Sequence, residues 1–463
     1  MSYTRRKFLR QAAVATSGLS ILPRHVLGGR GHVPPSDKVN VAVVGVGGRG
    51  RRNINELLKL PDVQVMAIAD PAAYWDLRGF YYQSEAGRGP VKQLLEAHYR
   101  EKTPNYRVKE QEDFRVLLEE EPGIDAILCA TPDHTHAYIS LWALRAGKHV
   151  YCEKPLTHNV WEAREVQRVA RETGLATQMG NQLHSTIGVR QLVAALQTDL
   201  IGPVREVHAW VPASRWLPGL QGLPSGSSPL PQGLNWDLWL GPRPMRPFHE
   251  QLAPVTWRDF WAYGCGALGD FGCHDMDAAV WGLKLPPPVS VEAYPAGYSD
   301  ADIAPYGEIA YYEFPLRGRL PACRLNWYSG GLRPPRPALV PDGVDMSGRG
   351  SMFVGEKGIL LGGGSRPPKV FPQSLAADMP LPEAVLPPTN GHHRDWVDAI
   401  KGGPPASSNF EYAARLTEIT LLGVMALRLG GTKIYWDAAG MQARGLPEAE
   451  LLVKEPVRAG WEM

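Results

Sequence analysis

Between Gly266 and Asp277 the sequence reads GALGDFGCHDMD, which sets one imidazole and three carboxylates within a stretch of helical character. Residues four apart on a helix lie one above the other, so Asp270 and His274 present their side chains to one site. Asp277, at i+7, falls on nearly the same face. An imidazole near its unperturbed pKa of about 6.5 can accept a hydroxyl proton as a hydride leaves the same carbon. The stretch therefore reads as an acid–base ledge. Two other readings stand beside it: Asp270 as a helix cap with His274 a satisfied core histidine, or D-x3-H as part of a divalent-ion site needing one more ligand. The metal-free ledge is preferred, with Asp277 as a structural residue.

What such a ledge acts with is indicated upstream. KVNVAVVGVGGRG, from Lys38, is a β-branched run followed by Gly45, Gly47 and Gly50 in G-x-G-x-x-G spacing, then by a pattern of helical period. In a strand–turn–helix unit the first glycine permits the tight turn, the second lets backbone approach a pyrophosphate, and the third lets helix pack on strand. Gly48 and Arg49 complete the loop, whose helix N-terminus offers unpaired N–H groups to phosphate. A second strand, VQVMAIAD, ends in Asp70, where a carboxylate can accept hydrogen bonds from an adenosine ribose. A 2′-phosphate would meet a negative charge there, so NAD is expected rather than NADP.

Between Pro71 and Tyr106 an insertion with helical stretches replaces the usual short connection, and its role is not legible in the sequence. Alternation then resumes. The strand IDAILCAT runs into Thr131, Pro132, His134 and His136, and after a helix the strand HVYCEKP ends in Glu153 and Lys154. Strand ends in an open parallel sheet line the ligand crevice, so Thr131, Pro132, His136, Glu153 and Lys154 should gather round the nicotinamide half of the cofactor. Asn159 and Glu162 form an N-cap and N3 pair that starts a scaffold helix.

With GVGGRG, ATPDHTHAY, CEKPLT and GALGDFGCHDMD in this order, the chain from Lys38 onward resembles the Gfo/Idh/MocA family of glucose-fructose oxidoreductases and inositol dehydrogenases. The resemblance implies that Lys154, Asp270 and His274 surround the reacting sugar carbon as the catalytic residues. It also implies that Asn181, in MGNQ, touches the cofactor, and that the exposed sheet of the second half mediates homo-oligomer contacts.

The implied fold class is α/β. An N-terminal Rossmann-type doubly wound parallel sheet over residues 37–158 is followed by an α+β substrate and oligomerisation domain over residues 159–445. The strands VREVHAWV, VSVEAYP, EIAYYEFP and CRLNWYSG alternate apolar and polar residues, as a large, open, mostly antiparallel sheet requires, and C-terminal helices close the chain. A length of 463 residues suits two domains, and a formal charge of +2 without runs of like charge argues against nucleic acid and for a small partner. The five cysteines show no CxxC spacing, so neither a disulfide framework nor a structural zinc site is suggested. Tryptophans crowd Trp210 to Trp261, within a Pro- and Gly-rich excursion; flat aromatic faces suit sugar rings, and an aromatic core beneath a long loop would use them equally well.

The segment TRRKFLRQAAVATSGLSIL, within residues 1–30, carries a twin arginine before a short apolar run and reads as a Tat export signal. No later segment is long and apolar enough to span a bilayer, so a periplasmic or other extracytoplasmic protein is expected, tethered if the signal stays uncleaved. Together these features point to an exported NAD-dependent oxidoreductase that moves a hydride between bound nicotinamide and a hydroxyl of a sugar, glycoside or cyclitol. A redox-neutral NAD-dependent glycoside hydrolase and a non-catalytic sugar-binding relative are the alternatives.

Overall fold

The computed structural model describes residues 33–346, 348–378 and 386–463, so the twin-arginine segment lies outside the described residues. The first unit begins with β1 (Val39–Val44), whose apolar run is buried almost throughout because both faces of a parallel sheet are covered. It leads through the glycine loop into helix α1 (Gly48–Leu57), then β2 (Val63–Ala69) and an antiparallel pair of two-residue strands, β3 (Trp75–Asp76) and β4 (Glu85–Ala86). β5 (Lys109–Gln111), β6 (Ala126–Cys129), β7 (His149–Cys152) and β8 (Thr177–Met179) follow. The order is β5-β2-β1-β6-β7-β8, all parallel. Strand order reverses between β1 and β6, and their carboxyl ends open the crevice where such sheets bind ligands.

The boundary expected at residue 158 falls inside this unit. Helix α2 (Val160–Thr173) crosses over to β8, which pairs in the same sheet, because a parallel neighbour for β7 can only be reached through a crossover. The expected capping box is present: the Asn159 side chain accepts from the Glu162 N–H while Glu162 accepts from the Asn159 N–H.

The second unit is a nine-stranded sheet. Its members are β9 (Val204–Trp210), β10 (Ser290–Ala296), β11 (Gly307–Phe314), β12 (Cys323–Tyr328), β13 (Gly350–Gly355), β14 (Ile359–Gly363), β15 (Arg366–Phe371), β16 (Ile434–Asp437) and β17 (Gln442–Ala443). They run in the order β15-β14-β13-β9-β12-β11-β10-β16-β17, and only β9 with β12 is parallel. Between β9 and β10 lie helices α3 (Gly266–Asp275) and α4 (Asp277–Gly282), and α5 (Phe410–Arg428) packs between α3 and the sheet. Gly423 lets α5 approach, since a Cβ there would stand 2.0 Å from the Tyr312 hydroxyl and 2.6 Å from Leu268 on α3. Gly272 does the same from the α3 side, where a Cβ would meet Thr420 at 2.8 Å. Helix α3 is thereby held at a fixed height.

One buried cluster runs through both units, joining Ala42 and Cys129 of the parallel sheet to Leu325, Leu416 and Leu422 of the second. The chain later returns to the first unit: Trp396 and Val397, on the helix His392–Ile400, pack with Val41 and Tyr151. Six of the aromatics in or beside the Trp-rich excursion (Trp236, Trp239, Phe248, Trp257, Phe260 and Tyr263) form a small core of their own.

Candidate active site

A cavity of about 510 Å³ opens at the carboxyl ends of β1 and β6 and runs from the glycine loop to helix α3. Gly45, Gly47, Gly48, Arg49, Asp70, Thr131, Pro132, His136, Glu153, Lys154, Asp270 and His274 all line it. Gly50 and Asn181 do not.

The loop's geometry explains its glycines. Gly45 has φ +82, and a Cβ there would stand 2.8 Å from the Ala130 carbonyl; at Gly50 a Cβ would lie 1.9 Å from the Gly45 oxygen, so Gly50 serves packing rather than ligand contact. At Gly47 a Cβ would meet nothing within 4 Å, and no side chain caps α1. Open space before uncapped N–H groups is what a pyrophosphate needs. Asp70 closes the loop from behind, accepting from the Val46 and Ala72 N–H groups at 2.8 Å each. Burial pushes its carboxyl up to about 6 against the pull of those N–H groups. Glu112 and Asp113 line the same end, each paired with an arginine, Arg88 and Arg115 respectively. A dinucleotide of the NAD type fits these residues.

Glu153 ties the loop to β7. Its Oε1 accepts from Arg49, Asn53 and Gln182, each at 2.8 Å, and although burial alone would raise it, Arg49 and Asn53 hold the carboxyl below its ordinary range. Asn181 is a correction to the expected cofactor set. It is fully buried and accepts from the Ser408 hydroxyl at 2.6 Å, turned toward the second unit. Its neighbour Gln182 takes the place on the cavity wall. His136 faces two carbonyls, Pro155 at 2.7 Å and Thr131 at 2.9 Å, which locks the E-K-P turn to the end of β6. His134 is buried against Trp239 and Tyr263 as a packing residue.

At the far end Lys154 Nζ donates to both Oδ1 and the backbone oxygen of Asp270 at 2.5 Å. Burial opposes ionisation of Asp270, but Lys154 and Arg258 outweigh it and hold the carboxyl well below its usual range. Burial, reinforced by Lys154 and Arg349, holds His274 well below an ordinary imidazole, so it is neutral at pH 7 and able to take a proton. Its Nδ1 is buried without a hydrogen-bond partner among the described residues, which leaves Nε2 as the nitrogen toward the cavity. The site can therefore hold an oxygen with Lys154 and move its proton with His274.

Asp277 is not on that face. The helix breaks at Met276, and Asp277 opens α4 fully buried, paired with His184 at 2.8 Å and accepting from the Tyr412 hydroxyl. Among the described residues, the His, Cys and carboxylate group close enough to share an ion is Cys129, His136 and Cys152 rather than the D-x3-H pair, and both His136 nitrogens are engaged by carbonyls.

Several further residues line the cavity, and of these only the Trp-rich stretch is marked by its composition. The 71–106 insertion contributes Trp75, Leu77, Tyr81 and Tyr82; the Tyr82 ring sits so close over Gly48 that a Cβ there would touch it at 2.3 Å. The excursion after β9 contributes Trp216, Trp239, Trp257 and Arg258, and Trp461 arrives from near the C-terminus. Asp133 lines the wall beside them, and burial, with Arg258 opposing it, pushes its carboxyl up to about 7. Its place inside ATPDHTHA was the only available hint.

Comparison with known proteins agrees with this geometry. A family model described as an oxidoreductase family with an NAD-binding Rossmann fold matches residues 81–181, and the C-terminal α/β domain of the same family matches residues 207–313. A 1,5-anhydro-D-fructose reductase of Ensifer adhaerens is 37% identical over 103 residues, 22% of this chain and 30% of that protein. A glycosyl hydrolase family 109 protein of Stenotrophomonas maltophilia is 28% identical over 193 residues, 42% of this chain and 38% of that protein. These matches span about a third of the relatives' lengths. The solved aldose-aldose oxidoreductase of Caulobacter crescentus, complexed with glycerol, superposes with a TM-score of 0.53 at 16% identity, over 86% of this chain and 99% of that one, and so shares the fold.

Proposed function

Because the chain belongs to the Gfo/Idh/MocA oxidoreductase family, we propose that it is an exported enzyme that transfers a hydride between a retained NAD and a hydroxyl-bearing carbon of a sugar, glycoside or cyclitol. The observation that carries this reading is the placement of Lys154, Asp270 and His274 at one end of a single cavity whose other end is the glycine loop.

When bound, the nicotinamide supplies a hydride acceptor and, in the return direction, a hydride donor. The chain's own residues do the rest. Lys154 donates to the substrate oxygen and stabilises it as its proton departs, while Asp270 holds the ammonium in place from two oxygens. His274, neutral through burial and neighbouring cations, receives that proton. Tyr82, Trp216, Trp257 and Trp461 wall the cavity, which excludes water and strengthens each of these interactions.

Retention follows from two supports. The twin-arginine pattern directs the folded protein to a compartment without an obvious nicotinamide pool. Three separate segments (the insertion, the excursion and the C-terminal tail) add walls to the cleft, which enlarges the surface available to hold a dinucleotide. A retained cofactor must be reoxidised in place by a second substrate. The decisive experiment is to denature protein purified from its native compartment, identify the nucleotide set free, and ask whether sugars change the absorbance of the bound nucleotide. Protein without nucleotide that still turns over sugar would sink the proposal.

A retained cofactor also suits a second reading, supported by the hydrolase relative: oxidation at C3, elimination of the glycosidic group, hydration and re-reduction with no net redox change. An aryl glycoside separates the two. Cleavage releases phenol without net NADH and incorporates solvent deuterium at C2, whereas simple oxidation yields a ketone with the glycosidic bond intact.

A further inference from the structure

Among the described residues, four Lys and Arg side chains line the cavity, and three have a close carboxylate of their own. Arg49 meets Glu153 at 2.8 Å, Lys154 meets Asp270 at 2.5 Å, and Arg349 grips Asp275 through two contacts of 2.8 Å. Arg258 differs. Its Nε lies 3.5 Å from Oδ1 of Asp270, the oxygen Lys154 already occupies, and its Nη1 donates to the Val255 carbonyl at 3.2 Å. Asp133 also faces it, but a carboxyl that burial has pushed to about 7 carries only a partial charge at neutral pH.

The guanidinium is nevertheless held firmly and away from water. It lies 4.1 Å over the Trp257 ring, its side chain is only 15% exposed, and the neighbouring Asp259 accepts from the Trp216 and Leu217 N–H groups at 2.9 and 2.7 Å. Two cations, Lys154 and Arg258, share the Asp270 carboxylate in a site largely removed from water, so the positive charge there is only partly balanced, which is unfavourable unless a further anion arrives. A guanidinium presents five donors in a planar fork suited to oxyanions. The pyrophosphate of a dinucleotide belongs at Gly47 and the start of α1, whereas Arg258 shares Asp270 with Lys154 at the substrate end.

We propose that Arg258 is a substrate-recognition residue and that the sugar taken by this site carries an anionic substituent, a carboxylate or a sulfate ester, which completes the charge balance beside Lys154 and Asp270. Trp216 and Trp257 then offer aromatic faces to the apolar faces of the ring. The assignment rests on the reading of the cavity as a sugar-oxidising site.

The test uses the nucleotide-bound protein as purified, with three forms of one methyl hexopyranoside that differ only at C6: carboxylate, sulfate ester and hydroxyl. Binding is measured by calorimetry and hydride transfer by absorbance of the bound nucleotide, for the unaltered protein, Arg258→Gln and Arg258→Lys. One anionic form should bind roughly 10- to 100-fold more tightly than the hydroxyl form, the range expected of a charge-assisted hydrogen bond. Whether the carboxylate or the sulfate wins identifies the substituent. In Arg258→Gln that ratio should collapse, and in Arg258→Lys, which keeps the charge and guards against a variant that merely misfolds, part of it should remain.

Three results overturn the proposal: no preference for either anion in the unaltered protein, an equal loss for all three sugars in Arg258→Gln, or loss of bound nucleotide from that variant. The second would place Arg258 on the reacting oxygen, the third on the pyrophosphate. A charge preference in binding with no hydride transfer from any sugar would instead count against the oxidoreductase reading and leave the recognition role standing.

Discussion

Lys154 Nζ stands 2.5 Å from two oxygens of Asp270, its carboxylate Oδ1 and its backbone carbonyl, so one ammonium joins the turn after β7 to helix α3 across the mouth of the cavity. The contact couples the nucleotide unit to the helix that carries His274. Lys154→Ala should therefore abolish hydride transfer while leaving nucleotide bound, with a loss of roughly 10² to 10⁴-fold. Single-turnover reduction of the bound nucleotide, alongside its quantitation after denaturation, checks this. A loss under about tenfold would return the contact to a purely structural role.

His274 sets a pH expectation. A base must be neutral to act, and this imidazole is held well below its ordinary value by burial, Lys154 and Arg349. Activity should stay flat from pH 8 down through about 6.5 and fall only in more acid solution. An acid limb centred at or above about 6.5 would assign the proton to another group.

Asp133 sets an expectation for stability. Its carboxyl is raised in the folded protein to about 7, above its value in the unfolded chain, so the folded state binds more protons in that window. Its favourable contribution is complete below the unfolded pKa of about 3.9 and is lost as pH rises toward 7, at about 1.4 kcal/mol per unit of displacement. Asp133→Asn, which stays neutral, should gain stability relative to the unaltered protein between pH 5 and pH 8. Thermal melting across that range provides the measurement, and a difference independent of pH would show that Asp133 is ionised throughout.

Asp70 both closes the glycine loop and faces the adenosine end. Asp70→Ala should weaken NAD binding and narrow the discrimination against NADP, since the repulsion and the ribose contact use one carboxylate. Calorimetry on protein stripped of nucleotide gives both affinities. Weaker binding with unchanged preference would confine Asp70 to holding Val46 and Ala72.

Asp277 is expected to matter through the fold. Its carboxylate and His184 are both fully buried, and the Tyr412 hydroxyl donates to the same group. Removing one partner of a buried pair leaves the other uncompensated, so Asp277→Ala should cost about 3–5 kcal/mol by denaturant unfolding. A loss below about 1 kcal/mol would mean that the contact between His184 and Asp277 contributes little to the fold.

The features legible in the sequence are those set by local spacing. Gly45, Gly47 and Gly50 declared a strand–turn–helix: Gly45 takes a left-handed φ and, like Gly50, lies too close to neighbouring backbone to admit a side chain, while Gly47 leaves open space before the helix; Asp270 and His274 declared one helix face because they are four residues apart. The alternating strands announced an antiparallel sheet in the same way. Asp277 broke that logic, since periodicity extrapolates through a helix end it cannot see, and Met276 ends α3 one residue too soon. Asn181 and Gln182 show the same limit at one-residue scale: adjacent side chains diverge, and only the packing of Ser408 against β8 decides which of them reaches the cavity. Tyr82, Arg258 and Trp461 lie far apart in the chain and obey no period. Their convergence on one cleft depends on how an insertion, an excursion and a C-terminal tail bury their aromatic surface against a finished scaffold, and that non-local packing exists only in the tertiary structure.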